Sequence, residues 1–543
     1  MGKQRLTIYL FRENVQDFED ILDLERKSQI GKDIFKILTN NTFGSEGCLF
    51  YKRQEDNTPA WLGYVDPILA EELPEMKTKS ISALLVVRVK ERIFAITFGY
   101  GRSLIDLQKI EYNFGLRVAL NLIDPKQIRS VDTKLFDDLI LSAKMQTSRD
   151  AGILSFNVDT QRDILKSVAG KIDGNSFFNA ISGSDSVVLN VDAVALKVPI
   201  LLEELLEAYQ SEEYKKNFGW VDHLALVRDE KTTNLLDNKL VDELKTGVLG
   251  STHLALPDVL DWEDIDAYKI QGTRGFEYPE LDLESYLKEL GDALNQLSLE
   301  KLKRSYVSVR FTRNQAYDRR GTLYRCLVSE QRLEPDGRLF VLIEGRWFRV
   351  DDLLVEEVDS YLEERITFDA KNFPDAKVGE KEANYNQRLV EESGGGLLLF
   401  DTKVFKPQGA RTGIEFCDVL SKEGGIIHVK RKSRSSTLSH LFAQGAVSAK
   451  TFLGDQSFRS ELRNYIRDQV EVGHDDQWLQ VLPDLNEPVV PNRYCVRYLI
   501  ISNSSRTGMD WLPFFSKVTL IQNSKELLQM GYSVTVSRVS VSD

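Results

Sequence analysis

Asp418 and Lys430 are the two residues whose types and spacing say most about chemistry in this chain of 543 residues. They fall on consecutive apolar segments, RTGIEFCDVL (Arg411–Leu420) and GIIHVKRK (Gly425–Lys432), separated by a short SKEGG turn. That pattern reads as a β-hairpin. An acid on one strand and a lysine near the end of its partner can converge on one edge of a sheet. Phosphodiester hydrolysis uses this combination. A carboxylate holds a divalent cation, Mg²⁺ or Mn²⁺, which polarises phosphate and lowers the pKa of a bound water. A lysine beside it stabilises developing negative charge.

The neighbouring elements must position these groups. EANYNQRLVEES (Glu382–Ser393) reads as a helix and GLLLFDTKVF (Gly396–Phe405) as a strand. After the hairpin comes a helix, SSTLSHLFAQGAVSAKTFL (Ser435–Leu453), with Ser435, Ser436 or Thr437 available as its N-cap. In it, His440 and Gln444 are four residues apart and share a face that can look back onto the hairpin. His428 by itself reads as a half-buried strand residue. Between Gly425 and Val470 eight Lys or Arg residues stand against three acids. In a chain of net charge −13 this local excess offers a phosphate backbone a place to sit.

The rest of the chain limits the answer. A net charge of −13 excludes a generally cationic nucleic-acid coat protein. The four cysteines (Cys48, Cys326, Cys417, Cys495) are far apart and have no metal-ligand spacing, which suits a reducing cytoplasm. No stretch reaches the ~20 apolar residues needed to cross a bilayer, so no membrane partner is expected. Four regions are predicted. Residues 1–150 form an α+β domain, with a helix over Val15–Lys27, a hairpin over Ile81–Gly101 and a helix over Phe114–Ile123. Residues 151–300 form an α/β region ending in a long charged helix, Leu281–Arg304. Residues 301–370 form a β-meander (Tyr306–Val350) and a helix (Asp351–Arg365). Residues 371–543 carry the constellation above. Gly99-Tyr100-Gly101, Gly394–Gly396 and His474-Asp475-Asp476 lack the context of nucleotide or metal motifs, and Trp61, Trp347 and Trp511 read as core or interface anchors.

The run GIEFCDVLSKEGGIIHVKRK resembles the core of the PD-(D/E)xK nucleases, the restriction-endonuclease-like fold, and among them the variant of the modified-DNA restriction enzymes of Mrr type. The chain also resembles a sporadically distributed bacterial family of unknown function seen among restriction and anti-phage genes. That likeness rests on His428-Val429-Lys430-Arg431, Ser439–Gly445 and the Glu382-Ala383-Asn384-Tyr385-Asn386 helix. The resemblance implies a C-terminal α/β domain with a mixed central sheet flanked by helices. It implies Asp418 as the metal-binding acid, Lys430 as the catalytic lysine, Glu382 as the acid of the preceding helix and Gln444 as the helix glutamine. Two positions depart from the pattern. His428 stands where Asp, Glu or Gln is usual. Strict Gly-x-Asp spacing selects Glu415, whereas Asp418 lies nearer the strand end. Residues three apart on a strand face opposite ways, so at most one of the two touches the metal, and Asp418 is favoured.

The expected function is a metal-dependent nuclease that hydrolyses DNA in anti-phage defence. Asp418 and Glu382 (or Glu415) would hold the cation, and Lys430 would act with assistance from His428 and Gln444. Arg431, Lys432, Arg434, His440 and Lys450 would contact DNA. The rival expectation is a catalytically silent nuclease-like module that binds DNA or protein as a sensor. A homo-oligomer or a defence-system protein is the expected further partner.

Overall fold

In the computed structural model the apolar alternation of Ile81–Val89 and Arg92–Gly99 pairs the two segments antiparallel across Lys90 and Glu91. Both turn residues have positive φ (46° and 61°), the conformation that matches the twist of a two-residue hairpin. The structure describes residues 4–542 except 54–80, 137–139, 157, 159–162, 173, 175–176, 192–194, 248, 258–264, 274–276, 280, 312–313, 370–372, 410–411, 433–435, 472–475, 485, 505 and 507. Trp61, Arg434, Ser435, His474 and Asp475 therefore lie outside the described residues. The fold is mixed α/β and built on several sheets. Among the described residues no helix is long and apolar enough to cross a membrane. The chain divides into two compact units, residues 1–134 with 142–221 and residues 135–141 with 222–543.

The first unit is organised by a ten-stranded sheet with Gln4–Leu10 near its middle, paired antiparallel to Arg92–Gly99 on one side and Val187–Val191 on the other. The predicted helix over Phe114–Ile123 is present as Phe114–Leu122. It lies directly on the sheet because two glycines meet there: a β-carbon on Gly183 would sit 1.9 Å from the Gly115 carbonyl oxygen. The predicted Val15–Lys27 helix is not continuous. It is a 3-10 turn over Phe18–Ile21 followed by a single helical turn over Leu24–Lys27. The Asp23 carboxylate accepts the Arg26 N–H at 2.7 Å and so caps a new start in mid-segment.

In the second unit the predicted Leu281–Arg304 helix is likewise broken. Gly291, at φ 50° and ψ −127°, ends Leu283–Leu290, and Ser298 caps a fresh helix over Leu299–Arg304. The predicted meander is divided between two sheets. Tyr306–Phe311 pairs with Ile265–Ile270 on one side and Asn314–Thr322 on the other, whereas Leu327–Leu333, Arg338–Ile343 and Arg346–Val350 belong to a five-stranded sheet. A helical turn over Leu323–Cys326, capped by Thr322, reverses the chain between them.

The rest of this unit carries a six-stranded sheet. Its strands are β1 (Thr367–Asp369), β2 (Leu397–Leu399), β3 (Val419–Ser421), β4 (Gly425–Arg431), β5 (Cys495–Ile501) and β6 (Ser533–Val539). Its helices are α1 (Glu382–Glu392), α2 (Ser436–Gly454), α3 (Gln456–Glu471) and α4 (Phe514–Gln529). The spatial order is β1-β6-β5-β4-β3-β2. β2, β3 and β4 are antiparallel neighbours, and β4, β5, β6 and β1 are parallel. The predicted hairpin and both flanking helices are thus present, but the strand predicted before the hairpin and the hairpin's own first strand are shorter than predicted. Gly396–Phe405 breaks after β2, where Thr402 adopts φ 62°. Its tail, Val404–Phe405, pairs with Ile414–Glu415 as a separate ribbon ahead of β3.

Candidate functional site

β4 is buried along most of its length and alternates between two helices. Ile427 and Val429 pack with Tyr385 and Leu389 of α1. On the other face His428 reaches Ser448 of α2. Only the strand end, Lys430 and Arg431, is partly exposed. It lies at the carboxyl end of a parallel strand, where open α/β sheets place their ligand sites.

Glu382, in the first turn of α1, meets this end with both oxygens. Its Oε2 accepts from Lys430 Nζ at 3.0 Å and its Oε1 from the Arg431 backbone N–H at 3.0 Å. Asp418 joins three segments. Its N–H donates to Ile427 O at 3.0 Å, and its carbonyl accepts from Phe400 N–H at 2.8 Å. Its carboxylate Oδ2 accepts the Val429 N–H at 2.7 Å. The side chain thus replaces a backbone carbonyl at the next rung of the β3–β4 ladder, which ends regular pairing and fixes the carboxylate beside the strand. Burial pushes the Asp418 carboxyl up to about 7. The Val429 hydrogen bond opposes this, and the fields of Asp401, Glu415 and Glu382 add to it.

Glu415 Oε2 accepts from Gln444 Nε2 at 2.8 Å, so the helix glutamine does face the hairpin. His440, one turn earlier, is exposed. His428 is fully buried. Its Nε2 lies 3.3 Å from Ser448 Oγ, its ring 6.2 Å from that of Tyr498, and its Nδ1 has no partner. Burial pushes its pKa down to about 4, so at neutral pH the ring is uncharged.

Most of the basic stretch holds the protein together. Arg431 donates to Lys377 O at 3.2 Å and Lys432 Nζ to Trp511 O at 2.6 Å. Arg459 binds the carbonyls of Phe452 and Leu453 at the end of α2. Arg463 binds those of Leu482 and Pro483. Lys450 remains exposed on α2.

Two further groups belong to the neighbourhood. Asn386 is 1% exposed, and its Oδ1 is buried without a partner. It lies one helical turn from Glu382 on the same side of α1, so the Glu-x-x-Tyr-Asn spacing carried the signal for it. Asp401 acts on Asp418 through its charge, and nothing in its sequence context marks it. Among the described residues no three or more His, Cys, Asp or Glu side chains gather as a metal-ligand group. The carboxylates whose charge reaches Asp418, those of Asp401, Glu415 and Glu382, offer oxygen, the donor chemistry of hard cations. Mg²⁺ in particular is commonly held by one or two carboxylates plus water and substrate phosphate rather than by a full protein cage. In donor chemistry, though not as a preformed cage, these carboxylates fit a hard divalent cation.

No curated protein matches the chain, and no solved structure does. Over residues 6–540 it matches the model of a family described as Family of unknown function (DUF6119).

Proposed function

Since the chain belongs to DUF6119, a family whose description carries no activity, its own site has to supply the reading, and we propose that it is a metal-dependent nuclease hydrolysing DNA phosphodiester bonds in anti-phage defence. One observation carries this reading. At the end of one strand, a lysine amine and a helix carboxylate lie 3.0 Å apart, and the aspartate that leads into the neighbouring strand is held by a backbone N–H at 2.7 Å. The helix, three strands, helix and parallel strand around them support a restriction-endonuclease-like domain.

In this reading Asp418 and Glu382 would hold Mg²⁺ or Mn²⁺, with Glu415, whose charge reaches Asp418, the alternative carboxylate. The bound cation supplies a polarised phosphate oxygen and a water of lowered pKa. Lys430 offers a cation to the charge that develops on phosphate. The Val429 N–H orients Asp418, and Gln444 restrains Glu415. His440 and Lys450 are the exposed side chains of α2 that would meet the DNA backbone. The test is cleavage of plasmid and linear DNA with Mg²⁺ or Mn²⁺ by the wild type and by Lys430→Ala. Loss of cleavage in the variant alone supports the mechanism. Equal cleavage by both removes Lys430 from it, and an inert wild type removes the nuclease.

A second reading has its own support. His428, at the position where the family pattern has an acid or glutamine, is buried against Ser448. This favours a catalytically silent nuclease-like module that binds DNA or protein. Calorimetric titration separates the two readings: DNA binding that persists with no divalent-cation binding selects the second.

A further inference from the structure

The turn from Trp511 to Phe515, where the chain enters α4, is gripped from two sides. Glu330 lies on the strand Leu327–Leu333 of the five-stranded sheet. One of its carboxylate oxygens accepts the Phe514 N–H at 2.8 Å and the other the Phe515 N–H at 3.1 Å. These amides open a helix, where N–H groups have no intrahelical acceptor and a negative group is favoured. From the other side Lys432, the residue after β4, donates Nζ to the Trp511 carbonyl at 2.6 Å. Its backbone N–H donates to Ile501 O at 2.8 Å, which ties the end of β4 to the end of β5. One turn into α4, Lys517 is 1% exposed and pairs with Asp359 of the helix Asp352–Arg365 at 2.7 Å. The turn is therefore pinned at both ends, by an acid of one sheet and by a base that follows a strand of the other.

We propose that Glu330 is a positioning residue for Lys430, acting through the 511–515 turn and Lys432. The proposal rests on the reading of Lys430 given above. Lys430 is two positions from Lys432, and the direction in which its amine leaves the strand depends on where the strand end is held. Glu330 lies 184 residues from its amide partner at Phe514. The five-stranded sheet is thus wired to the candidate site, and anything that shifts that sheet shifts the strand end carrying the lysine.

Hydrogen exchange and cleavage kinetics on the full chain test this. The variants are Glu330→Gln, which keeps shape and one acceptor, and Lys432→Met, which keeps the stem and removes the amine. Both are expected to fold, as checked by circular dichroism. Exchange is expected to rise about ten-fold at Phe514 and Phe515, the factor that a lost charge-assisted hydrogen bond corresponds to. It should also rise at residues 429–432, with kcat for DNA reduced and KM retained. Faster exchange at Phe514 and Phe515 alone, with residues 429–432 unchanged, overturns the proposal. If the wild type cleaves nothing but exchange at 429–432 still responds to Glu330→Gln, the coupling stands and the nuclease reading fails.

Discussion

Lys430 and Glu382 form an ion pair at 3.0 Å in which each side chain keeps about a third of its surface open, 34% and 35%. A pair this exposed contributes little to stability, about 0–1 kcal/mol. Its geometry is nonetheless fixed from behind, because the second Glu382 oxygen is held by the Arg431 amide. Lys430→Met should therefore leave thermal unfolding within about 1 kcal/mol of wild type. On the proposed function it should lower DNA cleavage by roughly 10²–10³, as loss of one electrostatic stabiliser does. Unfolding and cleavage measured side by side decide it. A large loss of stability would make the lysine structural.

His428 gives the fold a pH dependence with a defined sign. Its folded pKa, about 4, lies below the ordinary imidazole value of 6.5. The unfolded chain therefore binds the proton more readily between those values. The stability contributed by the neutral ring is complete above pH 6.5 and is lost as pH falls toward 4, by about 3 kcal/mol. Asp418 runs the other way, since its raised pKa lowers stability as pH rises toward 7. Comparing wild type with His428→Leu isolates the histidine. The difference in urea midpoint should be nearly constant above pH 6.5 and swing toward the variant below it. A flat difference down to pH 4 would show that the ring is not buried neutral.

Gly445 lets α2 lie against β5. A β-carbon there would be 2.6 Å from Tyr498 Oη and 2.7 Å from its ring. Tyr498 is fully buried and bonded to the Phe442 carbonyl at 3.0 Å, so it has nowhere to retreat. Gly445→Ala should destabilise by about 1–3 kcal/mol despite alanine's better helix propensity, as urea unfolding would show.

Asn386 tests whether an orphaned acceptor is kept for a purpose. Leucine has the same branching as asparagine and removes the unpaired oxygen but is larger, so stability should stay within about 1 kcal/mol of wild type. If the oxygen serves the cation site, divalent-cation affinity measured by calorimetry should fall in the same variant. Unchanged affinity would leave Asn386 outside the site.

The basic residues separate by role. Arg459→Met removes the cation at the end of α2 and should cost about 1.5–3 kcal/mol of stability, with the salt dependence of DNA binding unchanged. Lys450→Ala should leave stability within about 0.5 kcal/mol and reduce the salt slope by about 1 if DNA crosses α2. A salt titration of binding for both variants distinguishes them.

What the sequence determined by itself was local. The hairpin over Ile81–Gly101, the hairpin carrying Asp418 and Lys430, and helices α1 and α2 follow from alternation and i,i+4 spacing, which act over a few residues. The Glu382–Lys430 and Glu415–Gln444 contacts joined residues that the sequence had already singled out, yet their partnering needed the sheet. Two helix breaks were equally local, set by caps inside the segments, and tertiary structure decided the rest. The helix predicted over Val15–Lys27 gave way to a side-chain cap at Asp23, and the one over Leu281–Arg304 to Gly291 and Ser298. The meander was divided because its strands found partners as distant as Ile265–Ile270 and Leu224–Leu226. The basic stretch could be counted but not assigned, because whether an arginine meets phosphate or a backbone carbonyl depends on which helix end lies beside it. His428 shows the same limit: period-two alternation says that it shares a face with Lys430, and only the packing of α2 decides that one is sealed in and the other left open.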